Sequence, residues 1–357
     1  FVGKRKVQVG DTTLSAPRIV IATGSEPAVP LIEGLNTVPY LTNENIWDLQ
    51  ALPQHLVIVG GGAIGMEMAQ SFRRLGSEVT VIEPGNLLSR DDPESVAVVV
   101  DRMEAEGVMF VRGKAAKVVP GALGSFTLSL EDGQEIAGTH LLLATGRKAR
   151  VEGYGLEEIG VALGRNGIAV DERRRTSLKH IYAIGDCRDG PRLTHVSGYE
   201  GSNVALEITL GLPTKVDWSA LPWCTYTDPE VAQIGMTEAQ AREKLGDKVT
   251  VVREGFDHNE RAIAEDDTRG HLKVVMDGKK VLGASIVGRN AGEMLLPFSQ
   301  LITGKASTFA LGSAIVAYPT RSEITKAAAF SAWEGTVFGS VPKGYAKSRA
   351  WLRKITR

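Results

Sequence analysis

Three glycines and one acid carry the first chemistry in this sequence. Gly60, Gly62 and Gly65 stand in the run Leu56-Val57-Ile58-Val59-Gly60-Gly61-Gly62-Ala63-Ile64-Gly65, a GxGxxG spacing between an apolar strand and an amphipathic stretch. In such a turn the first glycine makes the tight bend and the second lets a pyrophosphate reach the backbone. The third lets helix and strand pack closely. The unpaired amides at the start of the following helix hold phosphate charge, aided by the helix dipole. Glu83 ends the next strand-like run, 18 residues after Gly65, where an acid accepts from the hydroxyls of an adenosine ribose. A carboxylate there repels a 2′-phosphate, and Pro84, Gly85 and Asn86 bring no cation to hold one. The pattern favours NAD(H) over NADP(H), with Arg90 as a nearby cation.

These residues need a strand–helix–strand frame. Residues 18–22, 56–59, 78–82, 108–111 and 140–143 read as short buried strands. Residues 63–75 carry apolar side chains at helical spacing and end at Gly76, and 93–106 read as a helix with Pro93 in its first turn and Gly107 beyond its end. The alternation predicts right-handed crossovers and a parallel sheet. Residues 115–131 read as two antiparallel strands around a turn at 120–124. A strand over 180–184 runs into Gly185 and Asp186, and a helix is expected over 197–210. Gly211 and Pro213 then mark a domain boundary. Beyond it the character becomes α+β, with strands at 249–253, 272–276 and 281–287 and helices at 291–303 and 322–333.

Composition narrows the function classes. With 357 residues, two to three domains are expected. Lys+Arg 41 against Asp+Glu 42 gives a net charge of −1, which argues against nucleic acid as the main partner. No run approaches the ~18 apolar residues of a membrane span, and no signal segment is seen. Two cysteines, Cys187 and Cys224, are too few for a disulfide framework or a structural zinc site, so no resident metal and a reducing, cytoplasmic setting are expected. The chain opens on Phe1 and not on Met, and is expected to lack its true N-terminus.

From about Ile19 to Glu334 the sequence resembles the flavoprotein (pyridine nucleotide-disulfide) oxidoreductases, the family of dihydrolipoamide dehydrogenase, glutathione reductase and mercuric reductase. Ala22-Thr23-Gly24 looks like the turn back into the flavin domain before the NAD domain, and Ala144-Thr145-Gly146-Arg147 like the matching exit motif. Ile181-Tyr182-Ala183-Ile184-Gly185-Asp186 resembles the second flavin fingerprint, whose aspartate bonds the ribityl or pyrophosphate part of FAD. Leu193-Thr194-His195, with Glu200-Gly201 following, is similar to the segment at the isoalloxazine edge. A plain helix N-cap at Asp186 and a satisfied core histidine at His195 are the structural alternatives. Glu67 matches a family position facing the nicotinamide, and a glutamate at a helix start is also favoured by the dipole alone. Tyr226-Thr227-Asp228-Pro229-Glu230 and Ile234-Gly235-Met236-Thr237-Glu238 match the opening of the family's dimerisation domain. Tyr318-Pro319-Thr320-Arg321-Ser322-Glu323 matches its catalytic end. The resemblance implies a homodimer in which Tyr318 and Glu323 reach the partner's flavin.

Two departures limit what can be carried over. Dihydrolipoamide dehydrogenase and glutathione reductase have a histidine at the place of Tyr318, paired with the glutamate matching Glu323. With a reference pKa near ~10, a tyrosine donates a proton but is a poor general base at neutral pH. Mercuric reductases are closer there, having a tyrosine, yet they end in a cysteine pair that this sequence lacks. A packing aromatic is the structural alternative for Tyr318. The family's first flavin fingerprint and its CxxxxC redox pair fall upstream of Phe1, and Cys187 and Cys224 read as small core residues. Residues 343–357 hold six basic residues and no acid. Trp351, Leu352 and Ile355 form an apolar stripe among Lys347, Arg353, Lys354 and Arg357. This tail reads first as solvated or loosely docked, and second as an amphipathic membrane-surface helix.

The expected fold is α/β, a Rossmann-like NAD domain (51–144) inserted in an FAD domain (1–50 and 145–212). An α+β dimerisation domain (213–335) and a basic tail (336–357) follow. The resemblance implies an FAD-dependent NAD(P)H oxidoreductase, NADH-preferring, that reduces a disulfide or soft metal ion. A flavin reductase passing electrons straight to a quinone or oxygen is the second reading, and a non-catalytic nucleotide-binding redox sensor the third.

Overall fold

The computed structural model describes residues 1–355, with side chains through Arg353. Ile355 of the expected apolar stripe, and Lys354 and Arg357 of its basic flank, lie outside the described side chains. The chain forms two compact units: Phe1–Gly65, Gly76–Pro84 and Val111–Trp218 in the first, and Met66–Leu75, Gly85–Phe110 and the residues from Ser219 onward in the second.

In the first unit the strand His55–Val59 runs parallel to His140–Leu143 on one side and to Glu78–Glu83 on the other. Tyr40–Leu41 extends the sheet beyond His140–Leu143. The expected parallel sheet is present. Leu56, Val57 and Ile58 are wholly buried, as a central parallel strand covered on both faces requires. Register pairs His55 with Glu78 and Val59 with Ile82, so the strands end level at the glycine turn and Glu83. Beside this sheet, Ala115–Pro120 and Phe126–Leu130 pair antiparallel as expected. A third strand, Glu135–Gly138, joins them. Its short run ends in alanine and glycine, poor strand formers, and gave no sequence signal. Phe126, Leu128 and Ile136 bury against Val57, Val59, Leu141 and Leu143.

Two small strand pairs carry the flavin-like motifs. Ile19–Ile21 lies parallel to Ile181–Ala183, and Ser25–Pro27 antiparallel to Arg147–Ala149. Ile21, Ile168, Ile181, Ala183 and Cys187 share a core. The helix that follows is Thr194–Leu210, starting three residues before the expected 197 and ending at Gly211 in the left-handed conformation, φ 70°.

The second unit is built on a five-stranded antiparallel sheet in the order Pro222–Thr225, Glu230–Gly235, Lys280–Gly288, His271–Asp277, Val249–Gly255. The first two strands escaped the sequence reading because Pro222 and Pro229 break their patterns. Ile234, Leu272, Val274, Ile286, Phe298, Ile324 and Ala328 form the core. The single helix expected over 291–303 is a 3-10 turn, Gly292–Leu295, followed by the α-helix Leu296–Ile302. Pro297, lacking an amide hydrogen, fits only the first turn of the second piece. The helix Pro93–Ala105 starts as expected, with the Asp92 carboxylate accepting from the Glu94 amide at 3.0 Å. The tail forms the helix Ser340–Ile355. Among the described residues no helix is long and apolar enough to cross a membrane.

Candidate cofactor and acceptor sites

The GxGxxG turn has the geometry its spacing demands. Gly60 sits at φ 116°, and a Cβ there would lie 2.4 Å from the Ala144 carbonyl oxygen. A Cβ on Gly65 would lie 1.9 Å from the carbonyl oxygen of Gly60. Both positions are closed to any side chain, because a contact under 3 Å displaces backbone. Gly62 is the opposite case, since a Cβ there meets nothing within 4 Å. Two glycines thus fix the turn and one leaves it open toward the surface, the arrangement a pyrophosphate needs. Glu83 reaches the same turn, its Oε2 accepting from the Gly61 amide at 2.8 Å. The acid expected to meet a ribose therefore also holds the phosphate-binding loop. These residues fit a dinucleotide.

The flavin-like residues gather around Asp186. Its Oδ2 accepts from Ser25 Oγ at 2.7 Å, and Arg147 donates to the same hydroxyl through Nε at 2.7 Å and to the Ser25 carbonyl at 2.8 Å. Thr23 Oγ1 donates to the Arg150 carbonyl at 2.6 Å, and the Arg150 amide donates to Gly24 at 2.9 Å, so the two expected flanking motifs are tied together. Gly24 (φ 74°) and Gly146 (φ 109°) both have open space where a Cβ would be. Left-handed, open glycines beside a carboxylate form a cradle that a side chain would fill, which fits the ribityl and phosphate part of FAD. The helix begins at Thr194, eight residues after Asp186, which removes the N-cap alternative for that aspartate. Thr194 and His195 are exposed in the first turn of this helix, so the core-histidine alternative for His195 is also removed.

Glu200 is the residue of this region whose part the sequence did not disclose. It is wholly buried. Its carboxylate accepts from the Gly185 amide at 2.7 Å, from Arg188 Nε at 2.8 and 3.1 Å, and from Arg174 Nη1 at 3.0 Å. Both guanidinium groups lie over the Trp218 ring, at 5.5 Å for Arg174 and 5.2 Å for Arg188. A buried carboxylate thereby holds the glycine next to Asp186 in position. Cys187, in the same turn, is buried with its Sγ against the carbonyls of Ile21 and Ile184.

In the second unit Glu67 lies past the first turn of its helix, where the dipole has faded. Its Oε1 accepts from the Tyr226 amide at 2.8 Å, and burial pushes its pKa up while that hydrogen bond pulls it down. Tyr318 is 69% exposed on the surface of this chain. Its hydroxyl donates to the Glu260 carboxylate. Glu323 begins the helix Glu323–Ser331, its Oε2 accepting from the Thr320 amide at 3.2 Å. Glu260, 58 residues before Tyr318, is thus the carboxylate that holds the tyrosine, and nothing in the sequence linked them. Cys224 is half-buried beside Glu230, and burial pushes its thiol up to about 12.

A family model described as pyridine nucleotide-disulphide oxidoreductase matches residues 1–201, and one described as the dimerisation domain of that family matches residues 221–329. A mercuric reductase from Lysinibacillus sphaericus is 36% identical over 338 residues, covering 93% of this chain and 62% of its own length. A dihydrolipoyl dehydrogenase from Geobacillus stearothermophilus is 35% identical over 342 residues, 92% of this chain and 72% of the relative. The solved structure of the HOCl-induced flavoprotein disulfide reductase RclA from Escherichia coli superposes with a TM-score of 0.85 at 28% identity, covering 92% of this chain and 77% of that one. The chain therefore spans only part of the length of the relatives it matches. It belongs to the pyridine nucleotide-disulphide oxidoreductase family.

Proposed function

We propose that this chain acts as a flavin-dependent NAD(P)H oxidoreductase with a preference for NADH, paired as a homodimer and working in the cytoplasm. Its acceptor is a disulfide or a soft metal ion. The observation that carries this reading is the turn at Gly60, Gly62 and Gly65, closed at two glycines and open at the third. The amides of that turn hold the pyrophosphate, and Glu83 selects against a 2′-phosphate by charge repulsion. Asp186, fixed by Ser25, accepts from a flavin hydroxyl. Bound FAD supplies the relay of two electrons between nicotinamide and acceptor. The Tyr318 hydroxyl, oriented by Glu260, donates a hydrogen bond or proton at the acceptor. The mercuric reductases among the relatives support the metal-ion form of this reading, and the dihydrolipoyl dehydrogenases the disulfide form.

Gly62→Val is the direct test. Its side chain enters open space, so the melting temperature should stay within a degree or two while NADH binding, read by fluorescence titration, and NADH oxidation with ferricyanide are both lost. Unchanged NADH affinity in that variant would sink the assignment. Hg(II)- and lipoamide-dependent NADH oxidation then separate the two acceptor classes. Sensitivity to arsenite, which traps vicinal dithiols, distinguishes a thiol relay from direct transfer to a quinone or oxygen.

A further inference from the structure

The helix Ser340–Ile355 lies beyond residues 221–329, the part matched by the dimerisation model. Of its side chains from Ser340 to Arg353, only that of Pro342 is half-buried, and all the others are exposed. At about 100° per residue, Val341, Tyr345, Ser348 and Leu352 fall on one face with Trp351 at its margin. Lys343, Lys347, Arg349 and Arg353 fall on the rest of the circumference. Val341 is 81% exposed and Trp351 63%. No residue from 340 to 357 is acidic.

An isolated helix of this length is marginal in water, and most helical stability comes from covering an apolar face. The charge pattern selects the cover. Pairing the face with the same face of a second copy would bring two sets of unbalanced cations together. An anionic lipid surface meets both halves of the helix at once, because the apolar face enters the acyl boundary while the basic face stays among the headgroups. Tyrosine and tryptophan are favoured at that depth. Lys343, Lys347, Arg349 and Arg353 along the helix forbid insertion across the ~30 Å hydrocarbon core.

We propose that Ser340–Ile355 is a membrane-surface anchor that binds the chain to anionic lipid bilayers, lying in the plane of the headgroups. The inference stands on the helix alone and does not depend on the redox assignment. The test is flotation of the full chain with vesicles of phosphatidylcholine mixed with phosphatidylglycerol, against vesicles of phosphatidylcholine alone. Binding is expected to the mixed vesicles only, and to fall as salt is raised. Lys347→Ala with Arg353→Ala should weaken partitioning about 25-fold, each cation contributing about fivefold. Tyr345→Ser with Leu352→Ser should abolish it, and both pairs should leave the melting temperature and NADH oxidation unchanged. The emission difference between the parent and Trp351→Phe should shift to the blue on mixed vesicles. Equal binding to phosphatidylcholine alone, or no binding to either, overturns the proposal. So does a fall in oligomer mass by sedimentation when the apolar pair is changed, with flotation unaffected.

Discussion

Glu200→Ala is the change whose cost the structure fixes best. The wild-type carboxylate is wholly buried and is shared by two guanidinium groups and one backbone amide. Arg188 is itself wholly buried and Arg174 nearly so. Removing the carboxylate leaves two cations in a water-poor pocket, stacked on Trp218, with no ion pair in its place. Breaking a buried pair from one side costs about 3–5 kcal/mol, and the orphaned Gly185 amide adds roughly 1 kcal/mol. The expected loss is about 5 kcal/mol, or a fall in melting temperature of about 10–20 °C for a unit of this size. Glu200→Gln keeps one acceptor and the shape but not the charge, and should lose about half as much. Urea unfolding followed by tryptophan fluorescence measures both, because Trp218 lies directly on the two arginines. Retention of FAD through gel filtration should fall in parallel, since the amide released belongs to the glycine beside Asp186. A loss of under about 1 kcal/mol, the figure for a surface pair, would refute the reasoning.

Other outcomes follow from the same kind of accounting. Burial raises Asp91 to about 6, opposed by the hydrogen bond from Trp223 Nε1 at 2.8 Å. The folded state therefore holds a proton that the unfolded state has already released, so stability falls as pH rises from about 4 to about 6. Asp91→Asn keeps the acceptor and should be the more stable form by about 3 kcal/mol above pH 7, with no difference near pH 4, as urea melts at the two pH values will show. Lys273 is almost fully buried with Asp92, Glu94 and Glu238 each at 2.8 Å. Its replacement by Met should cost about 3 kcal/mol at neutral pH. Glu94, held down to about 2 by Arg253 and Lys273, gives stability present above its unfolded pKa and lost as pH falls toward 2, so the cost of Lys273→Met should shrink in acid, measurable by the same melts. Tyr318→Phe, at an exposed position, should leave stability within about 0.5 kcal/mol but slow acceptor-dependent NADH oxidation about 100-fold. Ferricyanide reduction should be unaffected, and equal turnover of both acceptors would remove Tyr318 from the acceptor site.

What the sequence disclosed and what it hid divide along physical lines. The glycine turn was legible because each glycine answers to a local constraint, a tight bend at Gly60 and a close packing contact at Gly65. The central strand was legible because burial on both faces leaves an unbroken apolar run at 56–59. Glu135–Gly138 and Pro222–Thr225 were not, because weak strand formers and a proline disguise pairing that only neighbouring strands make worthwhile. Glu200 was hidden more deeply. A glutamate within a helix usually faces water, and only the folded chain shows Arg174 and Arg188 converging on it from separate loops. The pairing of Tyr318 with Glu260 belongs to the same class, a contact across 58 residues with no periodic signal.

The setting of the two cysteines has a practical consequence for labelling. Cys187 is sealed within the turn that carries Asp186. Cys224 is half-buried, and burial pushes its thiol up to about 12, so little thiolate forms at neutral pH. Maleimides and other thiol-selective dyes should therefore react slowly with both. A single cysteine introduced on an exposed strand or on the Ser340–Ile355 helix should therefore react ahead of both Cys187 and Cys224.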